Sequence, residues 1–232
     1  MKRRNFLTSS LVIATSASVL GSSAAHAFGL NSLTGGGSSG GASWKDIAET
    51  FTGGLKTIGT AAARAAKSVN NIIDATGLKV AEGLTAKSIK DLENGEVNGD
   101  NLADVSASSK STAEQLKKMS MEKIVLDAEQ KKKIAVASAD YFKAFVGASK
   151  GVLQLVEAKN KASGAGSPGI TDGLAAAQAA KDIPVLTPKA IEFFTNSIEV
   201  VKALREFNKT NDIAVADTEG LEDAINTDFS QG

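Results

Sequence analysis

Cysteine is absent from this 232-residue chain, and histidine occurs once, as His26. Without a thiol there is no disulfide, no cysteine-borne lipid anchor and no thiol nucleophile. His26 falls in a stretch that reads as a removable leader, so the remainder has no imidazole either. That excludes Ser-His-Asp and Cys-His arrangements, the usual zinc sites and His- or Cys-ligated haem. Aromatic residues are only 5% of the chain and proline occurs three times. Alanine and glycine take their place; such small side chains bring helices together but bury less apolar area per residue. Excess charge of one sign is also missing, with 26 basic against 26 acidic side chains. A nucleic-acid binder would want a clustered basic excess.

What is present begins with an export signal. Lys2-Arg3-Arg4 is a charged start, Leu11 to Leu20 an apolar middle, and Ala25-His26-Ala27 a small-x-small cleavage site. Residues 1–27 are thus expected to be a signal peptide. Arg3, Arg4, Phe6 and Leu7 resemble a twin-arginine motif, which exports folded proteins. The Sec route remains the alternative, because a basic start can hold an arginine pair by chance. The leader takes Lys2, Arg3 and Arg4 and no acid, leaving the mature chain slightly acidic. No second apolar run of about 18 residues follows, so no transmembrane helix is expected. The destination read from these features is the periplasm, or secretion beyond it.

Residues 28–42 read as a flexible tether, since Gly35-Gly36-Gly37-Ser38-Ser39-Gly40-Gly41 cannot hold one conformation cheaply. Phe28, Leu30 and Leu33 ahead of it are either cleavage context or a small docking peptide. Residues 43–210 read as a helical bundle, and 211–232 as an acidic tail with one or two helical turns around Glu219 to Ile225.

The longest pattern runs from Asp127 to Ala162. Ile134, Ser138, Tyr141, Phe145, Ala148, Val152 and Leu155 form one seam, and Phe142, Val146, Ser149, Leu153 and Val156 a second. At about 100° per residue the two cover roughly 180°. A bundle-edge helix shows a narrower stripe, so this one is expected to be central. Asp127 and Gln130 have capping-box spacing at its start, and Gly164 to Pro168 mark its stop.

Ser43 is a candidate N-cap for a helix over 44–76, with Gly77 at C′. Shorter helices are expected over 78–92 and 101–119, the second with a possible break in Ser106 to Thr112. Thr171 to Lys181 predicts a short Ala-rich helix that Pro184 ends. Thr187-Pro188 then opens a last long helix over 188–209, the natural partner of the central one. The fold class is all-α, a bundle of three long helices and two or three shorter ones.

Four local patterns bear on chemistry. Ser120-Met121-Glu122-Lys123 has serine–lysine acyl-enzyme spacing but no companion motif; Ser120 is better read as a cap or turn residue. Asn94 to Val105 imitates a calcium loop with Gly99 sixth, but the twelfth place holds Val105 where a bidentate acid is needed. Lys131-Lys132-Lys133 could touch phosphate or acidic lipid, though charge runs at helix starts are usually solvated. Ala144, Gly147 and Gly151 line one side of the central helix. They either admit a neighbouring helix closely or line a groove for a lipid tail or partner helix. No catalytic, metal-binding or cofactor-binding residue is identified.

The layout resembles a loose group of uncharacterised exported helical proteins of Gram-negative bacteria. The features that carry the likeness are Ala27 then Phe28-Gly29-Leu30, the Gly/Ser tether, Thr76-Gly77-Leu78-Lys79, and Leu186-Thr187-Pro188. It implies export and a helical bundle, and no activity. The expected function is non-enzymatic, a structural or protein-interaction role in the cell envelope. The alternative is a lipid or amphiphile carrier with its groove between helices 44–76, 128–162 and 188–209. The expected partner is an envelope protein or an amphiphile.

Overall fold

The structure, a computed structural model, describes residues 42–77, 86–122 and 124–229. The expected signal peptide, the tether up to Gly41, and residues 78–85, 123 and 230–232 lie outside them. Six α-helices and no strands occur among the described residues. They are α1 (Trp44–Thr76), α2 (Ala86–Glu93), α3 (Gly99–Glu122), α4 (Ala128–Ala165), α5 (Gly173–Thr210) and α6 (Leu221–Ile225), and a single 3-10 turn, Ile170–Asp172, precedes α5. The all-α bundle is thus observed, with four long helices rather than three.

Capping sets the helix ends. The Asp46 N–H donates to Ser43 Oγ at the start of α1, and Gly77 closes it at φ 69°, a left-handed conformation without cost for glycine. At the start of α4 the Gln130 N–H donates to Asp127 while the Asp127 N–H donates to the Gln130 side chain, satisfying two donors that the helix leaves free. Gln130 Nε2 also donates to the Ala75 carbonyl at 3.1 Å, and Trp44 Nε1 at the other end donates to the Gly166 carbonyl at 3.0 Å. α1 and α4 are therefore antiparallel. α5 runs antiparallel to α4, since Phe194 stacks on Phe145 at 4.7 Å and Asn208 Nδ2 donates to Ser138 Oγ at 3.0 Å. α3 runs parallel to α5, through Lys189 to the Gly99 carbonyl and Asn196 to Ser106.

Three expectations need correction. First, α5 is one 38-residue helix with Pro184 and Pro188 inside it, not two helices. Each proline removes one i→i−4 hydrogen bond and crowds the preceding turn. The two are four residues apart on the exposed side, while Ile183, Leu186, Thr187 and Ala190 are buried opposite. The freed carbonyls can be solvated and the packed face is continuous. Thr187 is no N-cap; it is fully buried and its Oγ1 has no hydrogen-bond partner among the described residues.

Second, α3 does not break at its serines. Ser106, Ser108, Ser109 and Thr112 are buried; Thr112 donates to the Ser108 carbonyl at 2.8 Å, and Asn196 Nδ2 donates to Ser106 Oγ at 2.6 Å. Ser108 Oγ is buried without a hydrogen-bond partner among the described residues; the helix continues because this face packs along α5, and tertiary packing outweighs weak helix propensity.

Third, α4 does pack against two long helices, as its two seams imply, but its most extensive contact is with α1 and not with α5. Ala61, Ala62, Ala63, Ala65 and Ala66 of α1 are all nearly solvent-free. They widen a face that Trp44, Ile47, Phe51, Ile58, Val69 and Ile72 already mark at helical spacing.

The segment after α5 carries its expected helical turn as α6 and also packs onto the bundle. Ile213, Leu221, Ala224 and Phe229 are buried, Phe229 meets Phe194 edge-on at 5.0 Å, and Arg205 pairs with Glu222 at 2.5 Å. No helix among the described residues is long and apolar enough to cross a membrane.

Candidate functional site

The small residues of α4 divide between two jobs. Gly151 is buried at the α1–α4 crossing. A methyl added there would lie 2.6 Å from Ile58 Cγ1 and 3.1 Å from the Gly54 carbonyl oxygen; one added at Gly54 would meet the Gly151 carbonyl oxygen at 3.1 Å. The two backbones approach as closely as side chains permit. One turn back, a methyl at Gly147 would meet nothing nearer than Ala61 Cβ at 3.6 Å, an ordinary contact.

The space left at Gly147 opens into a surface groove of about 330 Å³. Ala61, Ala144 and Gly147 make its floor, and Lys56, Arg64 and Lys143 stand around it with Thr57 and Thr60. Lys56, Thr60 and Arg64 are four residues apart on α1, so they share one face. Antiparallel packing brings Lys143 of α4 to the same place. All three cations are exposed, and no carboxylate lines the groove. Thr57 Oγ1 donates to the Gly53 carbonyl and Thr60 Oγ1 to the Lys56 carbonyl, so both hydroxyl protons are already engaged.

A second cleft, of about 290 Å³, lies under the segment after α5, with Phe142, Ile213, Val215 and Leu221 among its apolar walls. Of its polar lining, Arg205 is paired with Glu222. Asn208 Oδ1 and Thr218 Oγ1 are buried without hydrogen-bond partners among the described residues.

Deeper in, Tyr141 is fully buried, and burial pushes its phenol up to about 12. The hydroxyls of Ser197 and Ser109 face it and hold back part of the rise, though neither makes a well-aligned hydrogen bond with it. Between α1, α4 and α5 the side chains of Ile58, Phe145, Val152 and Phe194 are at most 1% exposed. These side chains fill the space between the three helices, and the groove at Gly147 lies on the α1–α4 seam.

The other sequence candidates sit apart from this site. Ser120 is buried in α3 and donates to the Leu116 carbonyl at 2.9 Å; it is neither cap nor turn residue, and Lys123 of that motif lies outside the described residues. The amides of the calcium-like loop cap α3: Asn98 Oδ1 accepts from the Asp100 and Asn101 N–H groups, and Asn101 Oδ1 accepts from the Asn98 N–H. Of the lysine run, Lys133 pairs with Glu129 at 2.7 Å, and the hydrogen bond to that carboxylate holds its amine above the usual value. Lys56, Arg64 and Lys143 are legible in the sequence only as polar-face residues. Their spacing on α1 was the available signal, and the contribution of α4 required the pairing of the two helices. Among the described residues no three His, Cys, Asp or Glu side chains converge.

Comparison of the chain with protein-family models, curated proteins and solved structures gives no match.

Proposed function

We propose that this chain is an exported, non-enzymatic helical-bundle protein that acts by binding in the cell envelope, in a structural or protein-interaction role. The observation that carries the reading is the outer α1–α4 groove, where packing leaves Ala61, Ala144 and Gly147 as an open floor ringed by Lys56, Arg64 and Lys143. Open, shallow surfaces of this kind meet partners; enclosed apolar pockets with convergent polar groups are the usual form of catalytic sites. The leader-like residues Arg3, Arg4, Phe6 and Leu7 supply the envelope part of the reading. The apolar floor favours one second reading, an amphiphile carrier.

A photo-crosslinking residue at exposed Thr60, expressed in a bacterial host with the full leader, tests the reading. The expected result is a discrete protein adduct in the periplasmic or envelope fraction, absent when the crosslinker stands at exposed Lys202. Lipid-sized adducts in native mass spectrometry would replace interaction with carriage. A chain retaining Met1 in the cytoplasm would overturn the export part.

A further inference from the structure

We infer that residues 217–229 form a strap that lifts from α4 and α5 as one unit while the four long helices stay folded. The strap comprises Thr218, the five-residue helix α6 and Phe229. It lies across both helices. Phe229 meets Phe194 of α5 edge-on at 5.0 Å, and a methyl at Gly220 would reach Val146 Cγ1 of α4 at 3.7 Å. Three buried apolar side chains, Leu221, Ala224 and Phe229, hold it down. The Arg205–Glu222 ion pair is exposed on both sides, and pairs of that kind add little. The backbone hydrogen bonds of the strap close within it: Leu221 N–H to the Thr218 carbonyl, Ala224 to Gly220, Asn226 to Glu222 and Thr227 to Ala224. A helix this short has no stability of its own, and segments with few buried apolar contacts open first.

The strap also has a hinge. Asp212 turns the chain back over the bundle at φ 53°, the only positive φ outside glycine among the described residues. That turn is fixed to α5, because the Ile213 N–H donates to the Asn208 carbonyl at 2.9 Å and Ile213 is buried. Ala214, Val215 and Ala216 follow, and none of them makes a backbone hydrogen bond with a described residue. Both alanines are exposed. Their φ and ψ can change without breaking a hydrogen bond, and a few loop residues of this kind are what a hinge requires.

Closure carries a polar cost. Asn208 and Thr218 both line the cleft of about 290 Å³, and Asn208 Oδ1 and Thr218 Oγ1 are buried without partners. Five such side-chain atoms occur among the described residues, and the other three, on Ser108, Tyr141 and Thr187, belong to the long helices. A polar atom taken from water and given no partner opposes its own burial. Lifting returns Asn208 and Thr218 to water, which offsets part of the apolar area exposed. The surface uncovered is an apolar groove between α4 and α5, floored by Phe142, Val146 and Phe194. Access to that groove is set by the closing equilibrium of the strap, independently of the α1–α4 groove.

The test is thiol labelling of the full chain, which has no cysteine of its own, beside native-state hydrogen exchange. Ala224→Cys places a thiol on the buried side of the strap, and Ala148→Cys places one in the core of α4. The first should react faster by about a hundredfold. In exchange, the Ala224 and Asn226 N–H groups should share one opening equilibrium. Its denaturant dependence should lie above zero and below that of Phe145 in α4. Thr218→Val keeps the shape and removes the unpartnered hydroxyl, so in the Ala224→Cys background it should slow labelling about threefold. Leu221→Ala should speed it at least tenfold. Equal labelling of the two thiols, or exchange at Ala224 and Asn226 with the denaturant dependence of Phe145, overturns the inference, because the strap then leaves only with the whole fold. Unequal exchange at the two amides without denaturant dependence overturns the single unit and means local fraying. Faster labelling in Thr218→Val also counts against the inference, since the hydroxyl would then hold the strap closed. If Ala224→Cys does not fold, hydrogen exchange on the unaltered chain decides alone.

Discussion

Two glycines four residues apart on one helix should respond to the same substitution with opposite sign. Gly→Ala in a helix interior gains about 1 kcal/mol from backbone entropy alone. At Gly147 the added methyl would lie 3.6 Å from Ala61 Cβ, with nothing closer. Gly147→Ala should keep that gain, about 1 kcal/mol. At Gly151 the methyl would sit 2.6 Å from Ile58 Cγ1 and 3.1 Å from both the Ile58 nitrogen and the Gly54 oxygen. Two of those neighbours are backbone, so no rotamer change relieves the clash and α1 must move off α4. Overpacking of that kind costs roughly 1–3 kcal/mol, and α1–α4 is the most extensive helix contact in the fold. Taking about 3 kcal/mol for so extensive a contact, the net for Gly151→Ala is a loss of about 2 kcal/mol. For a chain of this size that is a fall of about 4–8 °C, against a rise of about 2–4 °C for Gly147→Ala. Gly53→Ala is the control, because its methyl would meet nothing within 4 Å. Urea titrations followed by far-UV circular dichroism would read all three. A Gly151→Ala protein as stable as the parent, or a Gly147→Ala protein destabilised by more than about 1 kcal/mol, would refute the described crossing.

Two further outcomes are expected. The Tyr141 phenol is raised from about 10 to about 12 by burial, so its contribution is complete below the unfolded value and is lost as pH rises through the folded one. Stability of the parent should therefore fall between about pH 10 and 12 by about 3 kcal/mol more than that of Tyr141→Phe; equal slopes for the two proteins would mean that the phenol is not buried. Phe229→Ala should cost about 3 kcal/mol if Phe229 packs edge-on against Phe194, and Phe145→Ala about 3–5 kcal/mol. A Phe229→Ala cost under about 0.5 kcal/mol, the range of surface positions, would mean that Phe229 does not pack on the bundle.

In this chain a local signal misleads wherever its effect depends on the face on which it falls. Pro184 and Pro188 are strong breakers in isolation, and the helix passes through them because both project outward. The serines of α3 are weak helix formers, and the helix holds because the face they lie on is packed against α5. The two seams of α4 are visible because they hold bulky residues; on α1 the alanines at 61, 62, 63, 65 and 66 are buried beside the periodic Trp44, Ile47, Phe51, Ile58, Val69 and Ile72, and only packing shows that they are. At the candidate groove the sequence marked Ala144, Gly147 and Gly151 as one stripe, and only the approach of α1 separated a crossing at Gly151 from an open floor at Gly147.

By itself the sequence determined the all-α class, the start of α1 at Ser43, its end at Gly77 and the capping box at Asp127. Those depend on hydrogen bonds and φ preferences within a few residues, which a linear reading can follow. It also determined that no thiol or imidazole lies beyond His26. Tertiary structure alone decided that α4 lies along α1, that residues 213–229 close over the bundle, and that cations from two helices meet over a floor without side-chain bulk. Each of these depends on which surfaces come together between segments far apart for a local reading, a choice set by total burial and close packing and not by any local pattern.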